Sequence, residues 1–230
     1  MDFQLLLCVS KCFFMQQQNP ESSLQTLQEI RSIMERSARF LSLSGWSGVW
    51  AGCTALAGAA VAHRWLSAHE YNYARPAIAG NESSYWGPDI LKFLFLAAMV
   101  FMVALIGGYY FTWKKVKSQG GSLWNTASRS MLRSIAIPMI CGGIFCVVFA
   151  WYGDAKYIAP ACLVFYGLAL YNGSRYTLTD IRYLGILEIL LGSVYLFLPG
   201  YGLLFWTIGF GVLHILYGIV MWNKYDKAAA

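Results

Sequence analysis

Six long apolar stretches, separated by short polar segments, dominate the chain after residue 39. Their approximate limits are 40–62, 90–113, 134–152, 157–172, 183–198 and 202–222. A helix needs about 20 residues to cross the hydrocarbon core of a bilayer, whereas the strands of a lipid-embedded barrel would alternate in segments of ~10 residues. The pattern therefore predicts an all-α, polytopic membrane helix bundle with six transmembrane helices, of which the fourth and fifth are short.

The composition indicates that lipid surrounds most of the chain. Of the 230 residues, 58% are hydrophobic and 12% are charged, where a soluble domain carries about 25% charged residues. Such a chain has too little polar surface to cover a water-soluble globule, so the lipid bilayer is its expected partner. The net charge of +6 does not indicate nucleic acid, because its distribution along the chain fits the anionic inner leaflet of a membrane.

The distribution of Lys and Arg predicts how the helices are oriented. With the N-terminus inside, thirteen of the 17 basic residues fall on the inner side, which is the positive-inside bias of membrane proteins. The inner set is Lys11, Arg31, Arg36, Arg39, Lys114, Lys115, Lys117, Arg129, Arg133, Arg175, Arg182, Lys224 and Lys227. The outer set is Arg64, Arg75, Lys92 and Lys156. We therefore expect a multi-pass protein of the cell inner (plasma) membrane, with cytoplasmic N- and C-termini and an outer loop at 63–89.

The segment before the first span has its own pattern. Residues 1–19 are expected to be a disordered or artefactual N-terminal segment. Asn19, Pro20 and Glu21 form a helix-start signal, and apolar residues then recur at spacings of three and four with charges on the other face. Residues 20–39 are therefore predicted to form an amphipathic interfacial helix, whose apolar face could equally bind a cytosolic partner. The six-helix transmembrane domain would follow at 40–223, and a cytoplasmic tail at 224–230.

An internal repeat is visible in the second half of the chain. The fourth stretch contains Phe165-Tyr166-Gly167 near its end, and the sixth contains Leu216-Tyr217-Gly218. Arg133 and Arg182 open the two hairpins at similar distances from those glycines. We interpret the domain as three helical hairpins in tandem, an architecture frequent in transporters, although coincidence among apolar residues is the competing explanation.

One polar pair is predicted at membrane depth. Glu188 in the fifth stretch and His214 in the sixth are equally far in sequence from Tyr201, where the chain turns, so they should lie at the same depth. Glycines flank them at matching offsets, which lets membrane helices approach closely: Gly185, Gly192, Gly211 and Gly218. The pair is expected to be in contact across the hairpin, either as a structural hydrogen bond or as a proton-titratable site.

Other residue types give weaker signals. Ser44, Gly48 and Gly52 form a small-residue stripe that predicts a helix-packing face. The six cysteines include no Cys-x-x-Cys and lie mainly in apolar runs, so neither a disulfide framework nor a zinc site is expected. No catalytic residue, metal ligand or cofactor is predicted, and an enzyme is the least supported class of function.

Two segments carry a resemblance to known sequences. The run from Ile30 to Gly45 and the ending from Gly209 to Gly218 resemble stretches of uncharacterised multi-pass membrane proteins of bacteria. The resemblance implies a bacterial inner membrane and no particular activity.

Two functions remain as hypotheses. The first is a small transporter or channel-like module that uses Glu188 and His214 in the membrane. The alternative is a non-catalytic membrane subunit or scaffold that binds a partner through the N-terminal amphipathic helix. Either could form a homo-oligomer or bind a membrane partner protein.

Overall fold

Helices account for nearly all of the chain that the computed structural model describes, which is residues 44–68, 90–120 and 122–227. These helices are α1 (Gly45–Ala68), α2 (Ile90–Ser118), α3 (Thr126–Tyr152), α4 (Ile158–Gly173), α5 (Ile181–Tyr195) and α6 (Gly202–Asp226). A short 3-10 turn, Ala155–Tyr157, leads into α4, and α6 contains π-helical segments at Thr207–Leu213 and Trp222–Asp226. Within the described ranges there is no strand, so the prediction of an all-α protein is confirmed.

Three of these helices are long and apolar enough to cross a membrane. They are α2 from Leu91, α3 and α6, at 28, 27 and 25 residues. The 16 residues of α4 and 15 residues of α5 fall short of the length that spans a bilayer without assistance. The three long apolar helices indicate a membrane location.

Several expectations fall outside the described residues. The N-terminal unit Met1–Arg39, with its expected amphipathic helix, is one of them, as are residues 40–43, 69–89 and 228–230. Where the outer loop was expected to begin, α1 continues to Ala68. The extension is held by side chains, because Leu66 is buried and the Trp65 ring lies 5.9 Å from that of Phe93 on α2.

Local signals fix both ends of α3. The Asn125 side chain accepts a hydrogen bond from Ser128 N at 2.8 Å, and the Ser128 hydroxyl accepts one from Asn125 N at 3.0 Å. This reciprocal capping satisfies backbone donors that the first turn leaves free. At the other end Gly153 adopts the left-handed conformation with φ 79°, which ends the helix at little cost for a residue without Cβ.

The helix termini gather at two opposite ends. At one end Asp226 of α6 accepts hydrogen bonds from Gly45 N at 3.0 Å and from Lys115 Nζ of α2 at 2.6 Å. Lys224 near the end of α6 likewise contacts Asp180, just before α5, at 2.6 Å, and the end of α2 packs on the start of α3. The end of α1, the start of α2, and the turns between α3 and α4 and between α5 and α6 therefore lie at the other end.

Glycines bring two pairs of helices into backbone contact. A Cβ atom at Gly218 of α6 would lie 2.6 Å from Val49 N and 2.7 Å from Gly45 O of α1. A Cβ at Gly185 of α5 would lie 2.7 Å from Gly167 O of α4. Such close crossings are typical of membrane helices, which associate through packing rather than through exclusion of water. Around these crossings α2 packs on α1, and α3 packs on α4.

Candidate functional site

Glu188 and His214 meet inside the helix bundle. Glu188 on α5 is 0% exposed and His214 on α6 is 6% exposed. The distance from Glu188 Oε1 to His214 Nδ1 is 3.5 Å. The two residues that sequence position placed at equal depth are thus within ion-pair distance of each other.

The hydrogen bonds of His214 define which ring nitrogen carries hydrogen. Nδ1 lies 3.0 Å from Gly209 O, and a carbonyl oxygen can only accept, so Nδ1 is the donor. In the neutral ring Nε2 must then accept, and it lies 2.7 Å from the hydroxyl of Tyr166 on α4. Tyr166 therefore donates to His214 and extends the pair into a cluster of three residues from three helices.

Gly209 makes room for the carboxyl group of Glu188. A Cβ at this position would lie 2.6 Å from Glu188 Oε2 and 2.5 Å from Leu163 Cδ2. Gly209 belongs to the π-helical segment of α6 that ends just before His214. Segments of this kind occur frequently at functional sites, and here one supplies both the space for Glu188 and the carbonyl that orients His214.

The carboxyl group of Glu188 is left without hydrogen bonds. Neither oxygen has a hydrogen-bond partner among the residues that the structure describes. The approach to His214 is close enough for an ion pair, but the Nδ1 hydrogen points to Gly209 O instead. Leaving a buried polar group unsatisfied costs about 1–3 kcal/mol, so this carboxyl group requires an explanation. It can hold a proton, or accept hydrogen bonds from a ligand.

Aromatic rings enclose the cluster on the α6 side. The ring of Phe210 lies 5.1 Å from that of Tyr166 and 6.0 Å from that of His214. The ring of Trp206 lies beyond it, 5.2 Å from Phe210 and tilted by 44°. A groove of about 390 Å³ is found elsewhere on the described surface, between α1 and α2. It has apolar walls and does not include the cluster.

The predicted packing residues contact other helices than we expected. Gly185 and Gly192 of α5 face α4, where a Cβ at Gly192 would lie 3.0 Å from Pro160 O. Gly211 and Gly218 of α6 face α1 rather than α5. Contact between α5 and α6 at the polar pair depends instead on Gly209, which was not among the predicted packing residues.

The stripe on α1 faces α6. A Cβ at Gly48 would lie 3.1 Å from Gly218 Cα, and one at Gly52 would lie 2.6 Å from Gly211 O. The buried Ser44 hydroxyl lies 3.3 Å from Asp226 Oδ2. These residues set the α1–α6 distance and do not touch the Glu188 carboxyl group.

Tyr166 is the member of the cluster that sequence reasoning missed as a site residue. It stands in the repeated Phe165-Tyr166-Gly167 segment. Because a buried tyrosine usually finds a hydrogen-bond partner, this position could have been selected as a candidate member of the polar cluster. Its counterpart in the repeat, Tyr217, has no partner for its hydroxyl among the described residues. The two repeats thus share helix-packing glycines but not the polar cluster.

Metal binding has no evident site in the described part of the chain, where no three His, Cys, Asp or Glu residues are grouped to hold an ion. None of the protein-family models, curated proteins and solved structures compared with the chain matches it. The fold and its three long apolar helices define the class of a helical membrane protein.

Proposed function

We propose that this chain is a small transporter or channel-like module of the inner membrane, in which Glu188 and His214 bind a proton. One observation carries the proposal: the carboxyl group of Glu188 is fully buried and has no hydrogen-bond partner in the described structure. An ionisable side chain in a membrane costs about 2.5–3.5 kcal/mol. A purely structural pair would be expected to satisfy its oxygens, whereas a proton-carrying site needs a carboxyl group that can change partners.

The chemistry of proton exchange follows from the distances. Nδ1 of His214 is 3.0 Å from Gly209 O and 3.5 Å from Glu188 Oε1. A small rotation of the ring would redirect the Nδ1 hydrogen from the carbonyl to the carboxylate. The pair can then exist as imidazolium and carboxylate or as imidazole and carboxylic acid. Tyr166 donates to Nε2 of the neutral ring that carries its hydrogen on Nδ1. It accepts from Nε2 in the imidazolium and in the neutral ring that remains after the Nδ1 proton has moved to Glu188.

A second conformation is required for transport, because the cluster is enclosed in this one. The π-helical segment Thr207–Leu213 offers a mechanism. Conversion of such a segment to a regular α-helix shifts the following residues by one position, which is about 100° of rotation. His214 would then turn away from Glu188 and carry its side chain towards another face of α6.

The proposed topology has six membrane-spanning helices as three hairpins, with both termini in the cytoplasm. It is supported by the gathering of helix ends. The ends of α2 and α6, and the starts of α1, α3 and α5, lie together and carry most of the basic residues. The short helices α4 and α5 would span the membrane where the bilayer thins around them.

Proton movement is the direct test of function. The purified chain is reconstituted in liposomes that contain a pH-sensitive dye, and proton flux is followed after a pH gradient or a membrane potential is applied. We expect flux from the native chain and at least a tenfold loss in Glu188→Gln. The matched control is Ser193→Ala on the same helix, where the hydroxyl only bonds to Ile189 O. Equal flux from all three proteins, or no flux above empty liposomes, would contradict the proposal.

Topology is tested separately. In a chain whose native cysteines are replaced by serine, single cysteines at Lys117, Lys224 and Lys156 are treated in intact cells with a membrane-impermeant maleimide. We expect only the Lys156→Cys protein to be labelled. Labelling of Lys117→Cys and Lys224→Cys from opposite sides would rule out the six-span arrangement.

One observation favours the alternative, a non-catalytic membrane subunit or scaffold. In the most apolar 18-residue stretch of α2, and in that of α3, only 6% of the residues are buried. Both helices therefore present long apolar faces that a membrane partner or a second copy could cover. The amphipathic segment 20–39 proposed to bind a partner lies outside the described residues. Deleting residues 20–38 should remove a co-purifying stoichiometric partner if this function is correct.

A further inference from the structure

Two thiols face each other where α3 packs on α4. The Sγ atoms of Cys146 and Cys162 are 3.5 Å apart, and Cys146 Sγ lies 4.0 Å from Ile158 O. Both are free cysteines. We propose that they are a redox-active dithiol that forms a reversible disulfide between α3 and α4.

The packing around the two cysteines holds their backbones in place. On one side of Cys146, a Cβ at Gly142 would lie 2.5 Å from Phe165 Cβ. On the other side the ring of Phe149 lies 5.5 Å from that of Tyr157. A disulfide has an S–S distance of about 2.05 Å, so the sulfur atoms must approach by about 1.5 Å. Rotation of the two side chains about their Cα–Cβ bonds is the movement that would bring the sulfur atoms together.

The position of the dithiol makes it accessible to an oxidant. Cys146 is the less buried of the two cysteines, so a small apolar reagent from the lipid would meet its thiol first. Both cysteines lie near the ends of their helices, about 9 Å along α3 before Tyr152 and about 6 Å along α4 after Ile158. In the proposed topology this is the outer end, where the compartment favours disulfides.

The reaction is an exchange with a donor disulfide. The thiolate of one cysteine attacks a sulfur atom of the donor, which forms a mixed disulfide and releases one donor thiol. The thiolate of the second cysteine then attacks the protein sulfur of that mixed disulfide, and the second donor thiol leaves. The protein loses two protons and two electrons, and the donor disulfide gains them as two thiols.

Cysteines elsewhere in the described chain provide controls. Cys141 lies on the exposed side of the same helix, and Cys53 is exposed on α1. Neither makes the thiol contact that joins Cys146 to Cys162, so each should react as an independent thiol.

The test uses the full chain in detergent with only Cys146 and Cys162 retained, the other cysteines being replaced by serine. The oxidant is 4,4′-dithiodipyridine, a neutral disulfide whose released thiopyridone is measured by absorbance. We expect two thiopyridones per chain, a mass lower by two hydrogens and no retained pyridyl group. The Cys162→Ser protein, which retains only Cys146, should release one thiopyridone and keep one pyridyl group.

A matched pair of distant cysteines completes the design. The chain that retains only Cys141 and Cys162 should keep two pyridyl groups. The proposal is overturned if the Cys146 and Cys162 chain also keeps two pyridyl groups, or if its thiols do not react while the protein is folded. A second measurement is the thermal unfolding temperature, which should rise on oxidation and return on reduction, and should not rise in Cys146→Ser. An unchanged temperature in the oxidised protein would also contradict a bond between α3 and α4.

Discussion

The helices differ sharply in how they are packed. In the most apolar 18-residue stretch of α6, 22% of the residues are buried, whereas in the corresponding stretches of α2 and α3 only 6% are buried. The crossing of α6 and α1 is set by glycines that bring backbone against backbone. The contacts of α2 and α3 are made instead by large side chains, such as Trp50 of α1 against Gly107 of α2 and Phe145 of α3 against Phe165 of α4.

Apolar character therefore does not decide how much of a helix is buried. In lipid an apolar side chain gains little by moving from acyl chains to another helix. Close packing and hydrogen bonding decide instead, and both favour helices rich in glycine that carry a polar group. The short α5 therefore buries one face, which carries the fully buried Glu188, while Leu187 and Leu190 on its other face stay exposed. The long apolar α2 and α3 bury a smaller share of their residues.

The most severe test of close glycine packing is to add a side chain at the α1–α6 crossing. Gly218→Val should destabilise the protein by about 3 kcal/mol or more, because its Cβ would meet Val49 N and Gly45 O. The control is Gly143→Val on α3, where a Cβ would meet nothing within 4 Å. Thermal unfolding in detergent, followed by size-exclusion chromatography, measures both. Equal stability of the two variants would show that the crossing tolerates expansion.

A second test removes one hydrogen bond from the buried cluster. Tyr166→Phe keeps the ring but leaves Nε2 of His214 without its donor, so we expect a loss of about 1–2 kcal/mol. Tyr183→Phe is the control, since that side chain is 63% exposed. If both substitutions change the unfolding temperature equally, the Tyr166 hydroxyl does not stabilise His214.

A third test loosens α2 from the inner helices. Lys115→Met removes the ion pair with Asp226, whose two side chains are each 14% exposed. We expect a loss of about 1 kcal/mol and easier proteolysis between α2 and α3. Lys117→Met, at a position where the ammonium group lies over Trp113 of the same helix, should leave the α2 position unchanged. Identical proteolysis patterns would argue that Lys115 does not fix α2.

The last prediction, with the weakest effect, concerns how stability depends on pH through Asp180, just before the start of α5. Burial raises the pKa of Asp180, but hydrogen bonds from Lys224 and Tyr225 outweigh it and hold that pKa below its ordinary value. A depressed pKa contributes stability above the pKa of the unfolded chain, and this is lost as pH falls through the lower pKa of the folded state. Unfolding temperatures measured from neutral pH into the acid range should therefore fall less steeply in Asp180→Asn. If the unfolding temperature of Asp180→Asn falls as steeply with pH as that of the native chain, Asp180 does not contribute to this pH dependence.

Features that depend on local sequence were predictable. The length and apolarity of each stretch gave the all-α class, because they require no knowledge of neighbouring helices. Glu188 and His214 could be placed at one depth by counting residues from Tyr201, since helical rise per residue is constant.

Features that depend on the choice of neighbours were not predictable. Gly185 and Gly211 show that a small residue predicts close packing without naming the partner helix, as they face α4 and α1. Tyr166 joins the cluster from a third helix, and Gly209 makes room only because α6 is locally π-helical. The proximity of Cys146 and Cys162 likewise follows from the rotation of α3 on α4, which the cysteine spacing does not encode.

The contact between Gly45 N and Asp226 has a consequence for biosynthesis. The two residues are 181 positions apart, so the first of the six described helices closes on the last of them. Since nascent chains are made at about 5–20 residues per second, α1 must wait for seconds in the bilayer with its glycine face unpaired. During that interval a neighbouring chain or a chaperone has its best opportunity to bind it, and a nascent chain arrested before α6 would remain in that open state.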